Sequence, residues 1–103
     1  MPLRRCVLSS TDHDLSGPLP AGTEMILVVE DDHTIALGLV AALEHERFDV
    51  RHVENGERAL EAVRAKTPDL VLCDIMLPGI DGLQVMRTVK SEFPAIPVIM
   101  LTA

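Results

Sequence analysis

From residue 25 onward, two kinds of apolar pattern alternate along the chain. Met25 to Val29 is a short continuous apolar run, which predicts a strand covered on both faces. In residues 34–46 the apolar positions Ile35, Leu39 and Leu43, together with Ala36 and Val40, are spaced by four. That spacing predicts a helix with this face inward, and Asp32 or Thr34 can cap its start. Residues 48–53 predict a second strand, more polar and so suited to a sheet edge, followed by the turn residues Asn55-Gly56. A helix over 57–66 turns Ala59, Leu60 and Val63 inward, and Pro68 prevents its extension. The third strand spans 69–73 and the third helix 83–93, the latter with Val85, Met86, Val89 and Phe93 on one side. Pro94 and Pro97 close that helix, and Val98 to Leu101 form a fourth strand.

Regular alternation of this kind implies parallel strands joined by right-handed helical crossovers. The expected fold is α/β: a doubly wound open parallel sheet with helices on both faces and the first strand central. Residues 1–24, rich in Ser, Thr, Asp, Gly and Pro, predict a flexible N-terminal tail. Met25 is then a candidate translation start. The domain proper is expected over 25–103.

Composition narrows the choice. With 103 residues and a 48% hydrophobic content, one domain with a core is expected. There is no Trp or Tyr and only two Phe, so the core must be aliphatic and base stacking has little to work with. The net charge of -7 argues against direct nucleic-acid contact by this segment. It suits a metal cation or a basic protein surface. Cys6 and Cys73 give no disulfide framework. The four histidines lack ligand spacing such as HxxxH. Arg4-Arg5 is followed by only three apolar residues, which is too few for a secretion signal. A cytoplasmic protein without membrane segments is expected.

In open parallel sheets the ligand site lies beyond the carboxyl ends of the strands. Glu30-Asp31-Asp32 follow strand 1 there, Asp74 follows strand 3, and Thr102 follows strand 4. If strands 1 and 3 are neighbours, about 5 Å apart, Asp31 and Asp74 can share one ligand. Grouped carboxylates repel unless a cation joins them, and Mg2+ fits two carboxylates plus a backbone carbonyl. A carboxylate at such a site can attack phosphorus. The Thr102 hydroxyl and the Ala103 backbone N–H are placed to hold phosphoryl oxygens. Some of these acids have plainer uses. Asp32 and Asp81 suit helix caps, and Asp69 suits a solvated turn.

The segments "ILVVEDD", "LVLCDIMLPGIDG" and "VIMLTA", in this order and spacing, resemble the receiver domain of bacterial two-component response regulators. The resemblance runs from Met25 to Ala103 and implies a flavodoxin-like sheet of order 2-1-3-4. It makes Asp74 the phosphoacceptor, Asp31 a direct Mg2+ ligand, and Glu30 a ligand acting through water. Met76 would offer its backbone carbonyl to the metal, and Thr102 would be the switch hydroxyl. The implied partners are a sensor histidine kinase and a C-terminal output domain, with DNA binding the expected output. Such a module assists its own phosphorylation and dephosphorylation without being a conventional enzyme.

The family pattern continues past the last residue with a helix, a fifth strand ending in a lysine, and a final helix. Neither Lys66 nor Lys90 can replace that lysine, since both are expected on helices. The sequence therefore reads as roughly the first two-thirds of a receiver. Strand 4 is expected to be an open apolar edge, and helix 1 to expose apolar surface, so the segment alone should be poorly soluble or partly folded.

Three other readings stand beside this one. A degenerate or truncated receiver would act only as a protein-interaction module. A phosphatase resembling the haloacid dehalogenase family needs a second acid two residues after the nucleophile, where Met76 stands. A dinucleotide-binding fold needs GxGxxG after strand 1, and Glu30-Asp31-Asp32 is its electrostatic opposite.

Overall fold

The computed structural model describes residues 23–101. The tail expected over 1–24 lies almost wholly outside the described residues, as do Thr102 and Ala103. The elements are β1 (Met25–Val29), α1 (His33–His45), β2 (Asp49–Val53), α2 (Gly56–Ala65), β3 (Leu70–Asp74), α3 (Gly82–Glu92) and β4 (Val98–Leu101). All strand pairs are parallel and the order is β2-β1-β3-β4. The alternation of apolar runs with four-spaced rows thus produced the expected sheet, with β1 and β3 inside and the more polar β2 at an edge.

Strand periodicity divides the core between the two sheet faces. Leu27, Val29, Val71 and Cys73 point to one face, where Ala59 and Val63 of α2 and Val85 and Val89 of α3 bury them. Ile26, Val28, Leu70 and Leu72 point to the other, covered by Phe48 and by Leu39 and Leu43 of α1. The inward row of α1 is centred on Ala36, which is buried. Ile35, expected inward, is 51% exposed, because it lies at the margin of the helix face that buries Ala36. Leu37 at 70% and Ile99 of β4 at 43% leave this face thinly covered.

All three helices start at the carboxyl end of the sheet, and each has a side-chain cap there. Asp32 Oδ1 accepts from the Thr34 and Ile35 N–H groups at 2.9 and 3.2 Å, settling the choice between Asp32 and Thr34. Asn55 caps α2 through Arg58 N–H, and Asp81 caps α3 through Gln84 N–H, both at 2.8 Å. The caps occupy Asp32 and Asp81 and leave the remaining rim acids for other roles. No helix among the described residues is long and apolar enough to cross a membrane.

Candidate functional site

Parallel pairing builds the rim from positions distant in sequence. Val29 lies opposite Cys73, so the next residues, Glu30 and Asp74, emerge side by side. Asp74 is the last residue of β3 and pairs with Leu101 of β4. The sequence placed it one residue later, in the loop. The difference matters because a ladder position holds the carboxylate more rigidly than a loop does.

Three carboxylates converge here. Glu30, Asp31 and Asp74 each offer an oxygen, and these atoms lie within 4.8 Å of one another. Glu30 is buried, Asp74 is half-buried and Asp31 is exposed. No ion pair among the described residues involves any of the three. Burial pushes the Glu30 carboxyl above its ordinary range, and the neighbouring Asp74 and Asp31 push it further. The Asp32 N–H, donating to Glu30 Oε2 at 3.2 Å, works in the opposite direction. The donor set is all oxygen, acidic and without a basic ion-pair partner among the described residues, which fits a hard divalent cation.

The surrounding backbone fixes this set. Glu30 N–H donates to Val53 O at 3.1 Å, and Ile75 N–H to Leu101 O at 3.3 Å. Met76 N–H donates to Asp74 Oδ1 at 3.1 Å. Gly82 packs beneath Asp74: a Cβ there would run into the Asp74 carbonyl and lie 2.8 Å from Ile75 Cα. Gly79 takes φ 73°, the left-handed turn that Pro78-Gly79 supplies in the loop. The Met76 side chain is 71% exposed. Cys73, just before Asp74, faces the opposite way into the core, where burial pushes its thiol up to about 12.

The sequence-predicted residues Glu30, Asp31 and Asp74 therefore meet, and Met76 stands at the same rim. Thr102 and Ala103, expected to hold phosphoryl oxygens, lie outside the described residues. The two lysines sit at the far end of the sheet. Lys66 caps the C-terminus of α2 rather than lying within it, and Lys90 Nζ donates to the Pro94 and Ile96 carbonyls at 2.9 and 3.0 Å. Asp69 is also at that end. Exposed as expected, it is nonetheless tied: its Oδ2 accepts from Met25 N–H at 2.7 Å.

One residue at the site escaped the sequence reading. His52 Nε2 lies 2.8 Å from the Glu30 carbonyl oxygen. Ligand spacing was the wrong signal for it. Its position on a strand expected beside β1, close to that strand's carboxyl end, was the better one.

Comparison with known proteins agrees with this geometry. The response regulator receiver domain family matches residues 26–103. The DNA-binding response regulator MtrA of Mycolicibacterium smegmatis is 45% identical over 80 residues, which is 78% of this chain and 35% of MtrA. The DNA-binding transcriptional regulator NtrC of Escherichia coli is 42% identical over 79 residues, 77% of this chain and 17% of NtrC. The chain thus spans about a third or less of the length of these relatives. Among solved structures, the response regulator TrrA of Thermotoga maritima in complex with Mg2+ and BeF superposes with a TM-score of 0.77 at 37% identity, covering 79% of this chain and 70% of TrrA. The BeF3-activated receiver domain of RstA from Klebsiella pneumoniae gives 0.72 at 38% identity, covering 76% and 66%. With three acids gathered at the carboxyl rim of a 2-1-3-4 sheet, the chain belongs to the response regulator receiver domain family.

Proposed function

We propose that this chain is the phosphoacceptor module of a two-component phosphorelay, with Asp74 receiving the phosphoryl group from a sensor histidine kinase. The observation that carries the reading is the convergence of Glu30, Asp31 and Asp74 within 4.8 Å, with no basic partner among the described residues. Asp74 Oδ1 is tied by Met76 N–H, whereas no N–H of a described residue bonds the other oxygen. That oxygen attacks phosphorus, the P–N bond of the phosphohistidine breaks as the P–O bond forms, and the imidazole leaves with the electron pair. The product is an acyl phosphate on Asp74.

Glu30, Asp31 and Asp74, with the Met76 carbonyl, would hold Mg2+, which supplies positive charge to offset the carboxylates and the incoming phosphoryl oxygens. The chain's own residues do the rest. β3 fixes the direction of the Asp74 side chain, Gly82 lets the α3 start pack against its carbonyl, and Asp32 capping keeps the α1 start in place. Thr102 and Ala103 complete the phosphoryl contacts in this reading. Thr102 then turns toward the phosphoryl group and biases a two-state surface.

The whole protein would act in the cytoplasm through a C-terminal output domain. The names of MtrA and NtrC support a DNA-binding output. The -7 charge of this segment supports leaving DNA contact to that domain. The module is not a conventional enzyme: it accepts, holds and releases one group.

Incubating the full-length protein with acetyl phosphate and Mg2+ tests the reading. One base-labile phosphoryl adduct, absent from Asp74→Asn and from Mg2+-free samples, is expected. An unlabelled full-length protein would leave only an interaction module, and steady turnover of a generic phosphate ester would make it a phosphatase.

A further inference from the structure

The carbonyl of Glu30 is held by a side chain. β1 ends at Val29, paired with Val53, and Glu30 N–H still bonds Val53 O at 3.1 Å. Beyond this the ladder stops, and His52 Nε2 takes the Glu30 carbonyl at 2.8 Å. A carbonyl oxygen only accepts, so Nε2 must carry the hydrogen, which fixes the ring tautomer. Two successive peptides are therefore tied to β2: the Val29–Glu30 peptide through its N–H to Val53 O, and the Glu30–Asp31 peptide through its oxygen to His52. Glu30 and Asp31 supply two of the three converging carboxylates.

The ring is itself held. His52 sits opposite Val28 in the β1–β2 register and is half-buried. His33, the first residue of α1, meets it edge to face, with centroids 6.3 Å apart and planes at 78°. His33 Nε2 in turn lies 3.8 Å from Glu54 Oε1. His52 thus joins the end of β1, the start of α1 and the edge strand β2 at one point.

We propose that His52 is a positioning residue of the acidic cluster. Its Nε2–H orients the Glu30–Asp31 peptide so that both carboxylates face Asp74 in the arrangement a divalent cation needs. This rests on the reading of the cluster as a cation site. Groups that orient a metal's ligands commonly change its affinity by about 10–100-fold when removed, although they never touch the ion.

The test titrates the full-length protein with Mg2+ alone, by calorimetry, at a temperature where every variant is folded. His52→Leu, which keeps bulk and loses the donor, is expected to weaken Mg2+ binding by about tenfold. His52→Gln, whose amide N–H can reach the same oxygen, recovers most of that loss. Val50→Ala is the control: Val50 lies on the same strand and packs on the same core face without touching the rim. It is expected to lower the urea midpoint and leave the affinity unchanged. In the metal-free protein, the 15N spectrum of the ring is expected to show hydrogen on Nε2. Unchanged affinity in His52→Leu, equal weakening in Val50→Ala, or hydrogen on Nδ1 alone overturns the proposal while leaving the cation site intact. If the unsubstituted protein binds no Mg2+, the site reading falls and the proposal falls with it.

Discussion

At the amino end of the sheet, charged groups meet partners. Asp69 ties Met25 N–H at 2.7 Å, Lys90 closes two carbonyls, and Arg64 holds Glu92 with Nε at 2.9 Å and Nη2 at 2.6 Å. At the carboxyl end, Glu30, Asp31 and Asp74 crowd within 4.8 Å and share no basic side chain among the described residues. The same backbone builds both ends, so the difference lies in the side chains placed there. One end is finished by the protein's own groups, and the other leaves a charge deficit suited to a ligand. Functional sites are where such unresolved electrostatics are expected.

Substitutions at the two ends should separate these roles. The largest effect is expected from Gly82→Ala, because the added Cβ meets the Asp74 backbone rather than a side chain that can move. Urea unfolding should show a loss of about 3 kcal/mol or more, and Mg2+ binding should fall as the rim distorts. Asp69→Ala comes next, since it leaves Met25 N–H without its carboxylate. A loss of about 1 kcal/mol is expected with Mg2+ affinity unchanged. A change in affinity there would mean that the two ends are coupled.

Glu30→Gln should do the reverse. In metal-free buffer at pH 7 no loss of stability is expected, because burial and two acidic neighbours already disfavour the ionised form. Mg2+ affinity should drop. Proton linkage gives this end its own signature. With the Glu30 carboxyl raised above 4.5, the folded protein keeps a proton the unfolded chain has released. Stability therefore falls as pH rises through the window that opens near 4.5, and Glu30→Gln should remove that slope.

The smallest effect is expected from Arg64→Ala, because the pair it breaks is solvent-exposed. Arg64 holds the Glu92 carboxyl below 4.5, so any contribution is present above that value and lost as pH falls through the lowered one. The sign is opposite to that of Glu30. Thermal unfolding across pH 3 to 7 checks both signs, and phosphorylation by acetyl phosphate should be unchanged in Arg64→Ala.

The alternation of strands and helices and the central place of β1 were legible because continuous apolar runs and four-spaced rows report burial directly, whereas the order 2-1-3-4 was carried by the resemblance to receiver domains. Helix bounds fell within a residue, since Asp32 and Asp81 are caps by residue type, while Asn55, legible as a turn residue, also caps α2. Ile35 was misplaced because its four-spacing with Leu39 and Leu43 does not fix where the buried face is centred, and Ala36 takes the buried position. Asp74 was placed in the loop because a polar residue looks like the end of a strand, although the ladder continues through it to Leu101. The Asp69 bond and the His52 contact join residues 44 and 22 positions apart, so no local pattern carries them.

The register of β1 on β3 has one more consequence. Only Val29 opposite Cys73 brings Glu30 beside Asp74. A slip of one residue would carry Asp74 about 3.3 Å along the sheet and turn its side chain to the other face. A cation held by all three acids would bind the native pairing and none of the slipped ones. Its binding free energy would then count toward folding, and the ion would select among sheet registers as the chain folds.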